Sequence, residues 1–353
     1  MGRRMGILLV VLGALAGAAA VSFGVFLTWA LADWDPDDPG QAGLAEFRQL
    51  VGARPGEPGP ELRVLTWNVA FGGGAGKQPT ETHTKGEVLA NLADLARVAT
   101  AERPDVVFLQ EVDRPSHHSG DVDQLPVLQD TLGLPYACFV TTWRVRYLPF
   151  PPWPPARHIG RVWSGQVVLS RFPIAACQRV GLPQPPENPW WYNRFFLHRA
   201  VQVATLDVPG RGRLNAVNVH TEAFSQVSRE EHARRIAALV RGLPADEPLV
   251  LAGDFNTVPA DAPLMKAYPD EPETDFTTDQ TLATVRAVEG LREVFLDDRP
   301  GDPKEQLTFP AEAPNRRLDY VFSRGLGPSL TRRVLPEAKA SDHRPIVATF
   351  GWR

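Results

Sequence analysis

Asn68, Glu111, His220, Asp254 with Asn256, Asp319, and Asp342 with His343 each stand at the end of a short apolar run or beside one. An ionisable group at the mouth of a buried strand is costly to desolvate unless it has a partner or a task. An Asp-x-Asn turn that hydrogen-bonds its own backbone is the alternative for Asp254 and Asn256 taken alone. The set holds carboxylates, amides and imidazoles but no thiolate, which suits a hard, partly hydrated cation. Mg²⁺ fits better than zinc, with Mn²⁺ as a substitute. A histidine can take a proton from water near neutral pH, and a carboxylate behind it fixes its tautomer. Converging on one rim, such groups would support metal-assisted hydrolysis of a phosphoester.

The elements that must position them are read from apolar periodicity. Leu62–Asn68, Asp105–Glu111, Leu214–His220, Leu249–Asp254, Leu318–Phe322 and Pro345–Phe350 read as strands, several apolar enough to be buried on both faces. Glu87–Glu102 reads as an amphipathic helix with Leu89, Leu92, Leu95, Ala96 and Ala99 inward, stopped before Pro104. Ser228-x-x-Glu231 reads as a capping box opening a helix that carries Ile236, Leu239 and Val240. Gly72-Gly73-Gly74 is a flexible connector, and an acidic, loop-rich stretch follows Asp254 to about Glu305. Helices and strands alternate only partly, which suggests stacked mixed sheets.

Three regions are expected along the 353 residues: an apolar segment over 1–32, a Pro/Gly/Asp-rich linker over 33–60, and one globular domain over 61–353. Ile7–Ala32 runs 26 residues without a charge, long enough to span a bilayer with some tilt. Arg3 and Arg4 before it, and Asp33, Asp35, Asp37 and Asp38 after it, favour a domain outside the cytoplasm. Secretion after signal cleavage near Ala20 or Ala32 is the alternative. Within the linker, Leu44–Val51 is expected to form a short helix. A formal net charge of −4 argues against a protein that coats nucleic acid. Cys138 and Cys177 are too few for a disulfide framework and are expected as buried thiols, with one disulfide between them as the alternative. His83, His117, His118 and His232 have no motif around them and are expected on the surface, with Asp113 solvated or capping a helix.

Thr66-Trp67-Asn68, Leu109-Gln110-Glu111, Val219-His220-Thr221-Glu222, Gly253-Asp254-Phe255-Asn256, Leu318-Asp319-Tyr320 and Ser341-Asp342-His343-Arg344-Pro345 resemble, in that order, the motifs of the endonuclease/exonuclease/phosphatase superfamily. Its DNase I-like nucleases, inositol polyphosphate phosphatases and neutral sphingomyelinases share one fold. Ser164–Pro173 is similar to another family segment, with Gln166 where Asn is usual. The resemblance implies a four-layer α/β sandwich, two packed mixed β-sheets flanked by helices, with the site at one edge. It implies that Glu111 binds Mg²⁺, helped by Asn68 and Asp342. His343 would be the general base, oriented by Asp319. Asn256 and His220 would bind phosphoryl oxygens, His220 also serving as a candidate proton donor to the leaving group. The role of Asp254 varies among branches and stays open.

Residues 131–199 have a character of their own: eight arginines, no lysine, and Glu187 as their one acid. Pro149–Pro155 and Pro189–Tyr192 mix proline with aromatics and are expected as long loops. Arg171, Arg199, Trp153, Trp190 and Trp191 are candidate substrate contacts. Arginine beside exposed Trp suits an anionic lipid surface, whereas base stacking on nucleic acid is the alternative. The tryptophans could equally fill a satellite core. The expected partners are thus a phosphoester, in the lipid or envelope or else a nucleic acid, and a membrane through the N-terminal segment, with the chain a monomer. A non-catalytic module on the same fold would need a lost metal or base residue, and none is missing.

Overall fold

In the computed structural model, the structure describes residues 2–32, 45–76, 81–296 and 303–353. The expected acidic run at residues 33–38 and Leu44 lie outside them, as do the side chains of Arg3 and Arg4. Helix α1 spans Gly2–Ala30. Strands β1 (Ala45–Gln49) and β2 (Glu61–Asn68) precede α2 (Lys85–Ala101), β3 (Val106–Asp113) and α3 (Gln124–Leu132). Next come β4 (Tyr136–Leu148), β5 (Gly160–Ser170), β6 (Ile174–Gly181), α4 (Trp190–Phe195), β7 (Ala200–Val208) and β8 (Gly212–His220). Helix α5 (Gln226–Gly242), β9 (Leu249–Asp254), α6 (Thr281–Arg286) and β10 (Arg292–Glu293) follow, then β11 (Asp319–Arg324), β12 (Ser329–Val334) and β13 (Ile346–Gly351).

The strands form two mixed sheets, ordered β1-β4-β5-β3-β2-β13-β12 and β10-β11-β9-β8-β7-β6. Two-residue periodicity explains how they stack. On β2, Leu62 and Val64 meet Ala216 of β8 and Ala252 of β9 between the sheets, while Leu65 and Trp67 face α2 and α3. On the far side, Val217 and Leu251 face α5 and α6. The expected four-layer sandwich is what forms.

Each sheet has one parallel pair at its centre, β2 with β3 and β8 with β9, so four carboxyl ends point the same way. Gly253 permits the second pairing. Its φ is +142°, and a Cβ there would lie 2.0 Å from the Val219 carbonyl oxygen.

Several local expectations change. Helix α2 starts at a true capping box, Thr84 with Glu87, and leaves Leu89 exposed. Helix α5 is capped by Ser225, not Ser228, and Glu231 instead pairs with Arg234 and Arg235. Residues 45–49 form a strand and not a helix, because the edge of β4 offers them an antiparallel ladder. His83, His118 and His232 are buried, with only His117 exposed. Asp113 is buried too, accepting from Ser119 at 2.6 Å and lying 2.8 Å from His118.

Cys138 and Cys177 are a disulfide and not free thiols, with Cα atoms 6.5 Å apart. Residues 39 apart meet because β4 and β6 lie near matching edges of the two sheets. Closing a loop of that length stabilises the fold by about 4 kcal/mol on the chain-entropy account. We expect the Cys138→Ser/Cys177→Ser chain to lose roughly that much in denaturant unfolding. A loss under about 1 kcal/mol would mean that the bond constrains little.

Candidate active site

All the polar strand-end residues come to one edge of the sandwich. Asn68 ends β2, and Glu111 lies on β3 beside it, where the pairing with β5 shifts register between Leu109 and Val112. Glu111 has φ +56°, and this bulge turns its side chain to the rim. From the other sheet, His220 ends β8 opposite Asp254 at the end of β9, and Asp319 opens β11 opposite Asp254. Asp342 and His343 precede β13. The site therefore straddles the two sheets.

His343 and Asp319 close that seam: Nδ1 lies 2.8 Å from Asp319 Oδ2. Nδ1–H donates there, so Nε2 faces the rim, 3.6 Å from Asp254 Oδ2. The main chain is fixed as well, since Trp67 Nε1 donates to the His343 carbonyl at 2.8 Å. Burial alone would lower the imidazole's pKa, but the charges of Asp319 and Asp254 prevail and push it up to about 10.

Asp254 is the hub. Its Oδ1 accepts from the Asn256 N–H at 2.8 Å and its Oδ2 from Asn68 Nδ2 at 3.1 Å. Asn256, with φ +47°, anchors its own amide on the Thr221 carbonyl at 3.1 Å. Burial raises the Asp254 pKa, only partly offset by His343.

His220 Nε2 lies 3.5 Å from Asp254, 3.8 Å from Glu111 and 2.7 Å from Arg199 Nη1. Burial and then the Arg199 charge hold His220 well below its ordinary pKa. Arg199 therefore donates to a neutral ring, and as placed His220 has no Nε2 proton to give a leaving group. The Gln166 amide backs it: the oxygen accepts from the His220 N–H at 3.1 Å and the nitrogen donates to Ala200 O at 3.0 Å.

Three carboxylates at the rim repel one another. Glu111, Asp254 and Asp342 are each raised by burial, Glu111 to about 7 with Asp342 the next cause. Groups held in that state gain from a positive charge between them. Asp319 Oδ1 also lacks a hydrogen-bond partner. Asp254, Asp319 and His343 offer ligand atoms within 4.8 Å of one another. The 2.8 Å bond between Asp319 and His343 commits that pair to each other. The Glu111 side chain is 15% exposed.

A model of the endonuclease/exonuclease/phosphatase family matches residues 65–343. The chain belongs to that family. Among solved structures, an endonuclease/exonuclease/phosphatase protein from Beutenbergia cavernae shares 27% identity at a TM-score of 0.60, covering 83% of this chain and 72% of that one. Humanized D. rerio TDP2 has the same fold at 17% identity and a TM-score of 0.54, over 83% of this chain and 99% of that one. A UPF0294 protein of Vibrio parahaemolyticus is 27% identical over 191 residues, covering 53% of this chain and 55% of its own. The chain spans about half the length of the curated relatives it matches. Members of the family are hydrolases acting on phosphoester bonds and commonly use divalent metals.

Not every candidate joins the family site. Arg171 lies at the opposite end of β5, where Ser170 pairs with Val106, and it binds Asp105 at 2.9 Å. Trp153, Trp190 and Trp191 are exposed, and Trp190 and Trp191, at the start of α4, face the end of α1. Trp143 alone follows the satellite-core alternative, packing with Phe71, Val145, Ile159 and Val162.

Glu222 and His232 were not singled out as site residues. His232 Nε2–H donates to Pro183 O at 2.8 Å, and Nδ1 accepts from the Glu222 N–H at 3.2 Å, which ties down the loop after His220. Glu222 in turn lies 4.0 Å from Arg199 Nε. The signal was present: His232, Ile236 and Val240 share one helical face.

Proposed function

We propose that this protein is a divalent-metal-dependent phosphoesterase that activates water with His343, held outside the cytoplasm by α1 and acting on a phosphodiester or phosphomonoester of the lipid or envelope. The observation that carries the reading is the Asp319–His343 pair, formed between the two sheets and aimed at Asp254 and the Glu111 side of the rim. A Ser–His–Asp type of site is not needed, since the attacking group is water.

The residues divide the work as follows. Asp319 keeps one His343 proton on Nδ1, and Nε2 would be free to take a proton from the attacking water once a cation at the rim offsets the carboxylate charges that raise the imidazole to about 10. Asn256 and Arg199 bind the phosphoryl oxygens, and the neutral His220 positions Arg199 by accepting from its guanidinium, which supplies the positive charge that His220 lacks. Asp254 orients Asn68 and Asn256. Glu111, with Asn68 and Asp342, would hold Mg²⁺ or Mn²⁺, which supplies charge neutralisation at the phosphoryl group.

Two observations support the location. Met5–Ala30 is a 26-residue helical stretch long and apolar enough to cross a membrane. The Cys138–Cys177 bond suits an oxidising compartment.

The test is turnover of sphingomyelin, phosphatidylinositols, DNA and nitrophenyl phosphoesters by the purified chain. Activity should vanish in EDTA and return with Mg²⁺ or Mn²⁺. Full turnover in EDTA would sink the metal assignment, and cleavage of DNA alone would move the protein to the nuclease reading.

A further inference from the structure

The point where α1 meets the domain lies at the same edge as the site. From Met5 to Val25 the helix is exposed all round, and its contacts with the domain begin at Phe26. Phe26 packs against Tyr147 and Phe195, with ring centroids 6.2 and 6.4 Å away, and Trp29 against Tyr147 at 6.3 Å. Tyr147 lies beyond the site edge. On β5, Ser164 is the partner both of Asp113, two residues past Glu111, and of Trp143, so β4 projects past the rim before it reaches Tyr147.

Around this junction the domain shows water an aromatic collar. Trp153 is 78% exposed, Trp190 72% and Phe224 82%, with Phe150, Trp191 and Tyr192 also open. Isolated exposed aromatics are ordinary, but those from α4 to Phe224 are contiguous, and Phe150 and Trp153 follow the end of β4 that meets α1. Trp191 touches Tyr192, Tyr192 stacks on Phe196 at 5.5 Å, and Phe196 meets Phe224 at 6.4 Å. Phe224 follows His220 by four residues, and α4 ends four residues before Arg199. The collar thus runs from the foot of the apolar helix to the phosphoryl-binding groups.

Between α1 and α4 lies a cleft of about 460 Å³, lined on one side by Gly24, Leu27, Thr28 and Leu31 and on the other by Trp190, Trp191 and Arg194. It continues the exposed apolar face of α1 and carries a guanidinium beside two indole rings. That is the chemistry of a phospholipid, with an acyl chain along the helix and the phosphate by the arginine.

We infer that the site's rim is seated on the bilayer that α1 enters, with Trp153, Trp190, Trp191 and Phe224 at headgroup depth and a phospholipid in the α1–α4 cleft, so that the substrate is a phosphoester presented from that surface. The inference rests on the phosphoesterase reading and on α1 as a membrane span. The collar's continuity with α1 selects the membrane over a nucleic acid, because stacking on bases gives no reason for the rings to gather where an apolar helix leaves the domain.

The experiment uses the full chain in nanodiscs of phosphatidylglycerol and phosphatidylcholine carrying bromine near the headgroup end of the acyl chains. Trp153→Phe/Trp190→Phe/Trp191→Phe keeps the rings and removes the reporters. Bromine quenching of the tryptophan fluorescence attributable to these three positions should exceed half. No difference in quenched intensity between wild type and variant would overturn the seating, as would quenching by a single-stranded oligonucleotide in its place. This readout needs no turnover, so it stands or falls separately from the catalytic reading. Replacing Phe150, Trp153 and Trp190 with Ser should then lower the ratio of turnover on vesicle-borne to soluble phosphoester about tenfold. Equal loss on both substrates would refute a membrane-presented substrate while leaving hydrolysis intact.

Discussion

His343→Ala should lower turnover by about 10²–10⁴, which corresponds to roughly 3–5 kcal/mol of barrier. The fold should survive, because Trp67 is held by the His343 main-chain carbonyl and not by its ring. Asp319→Asn should cost less, since it leaves the imidazole in place and disturbs only its tautomer and aim. The double variant should be little worse than His343→Ala alone, as groups that act as a unit are not additive. Fully additive losses would mean that the 2.8 Å pair does not work as one. A titration gives a second check. Asp319 and Asp254 are the charges that raise His343 to about 10, so Asp319→Asn should bring the imidazole pKa down. An unchanged value by NMR would remove Asp319 from the account.

Glu111→Gln should nearly abolish activity and yet stabilise the metal-free chain. Burial and Asp342 push the Glu111 carboxyl from 4.5 up to about 7. Below pH 4.5 it is protonated both folded and unfolded, and its titration costs nothing. As pH rises to 7 the unfolded chain releases the proton first, so stability falls, and the full penalty is present above 7. A shift from 4.5 to about 7 amounts to about 3 kcal/mol. In EDTA at pH 8 the variant should therefore melt several degrees above wild type, and at pH 4 the two should coincide. Mg²⁺ should raise the melting temperature of wild type and leave the variant nearly unmoved. A variant that melts lower in EDTA at pH 8 would show that Glu111 is structurally satisfied without a cation.

Much of this was legible before any fold was known. Asp254, Asp319 and His343 lie at the ends of apolar runs, and burial on both faces of a central strand is what writes such runs. The outer strands were harder. β4 and β12 carry arginines and threonines where one face or edge meets solvent, β6 turns its one arginine inward onto the Thr141 carbonyl, and β1 is a strand only because β4 is there to pair with it. Long-range pairing also hid the disulfide, since no local pattern tells residue 138 that residue 177 lies across the sandwich. The same reason hides His232, whereas His118 meets the carboxylate of Asp113 only five residues away. A histidine becomes interior when a carboxylate or carbonyl arrives from elsewhere in the chain, as Pro183 O does for His232. Arg171 shows the converse: its motif-like setting marks a β5 terminus whose ion pair with Asp105 belongs to the far end of the sandwich.

The disulfide lies at one end of a buried chain of amides. Gln202 donates to the Cys138 carbonyl at 2.8 Å, Asn218 to Gln202 at 3.1 Å, and Gln110, next to Glu111, to Asn218 at 2.7 Å. The first and last of these bonds pass from one sheet to the other, as does the bond between His343 and Asp319, and the middle one joins them within the six-stranded sheet. Sliding one sheet past its neighbour by a single residue, about 3.3 Å, would part His343 from Asp319 altogether. The alignment tolerance of the reaction centre is thus far smaller than the step by which stacked sheets can be misregistered. A sulfur bridge and three amides, none of them near the phosphorus, act as the dowels that keep two halves of a split mould in register.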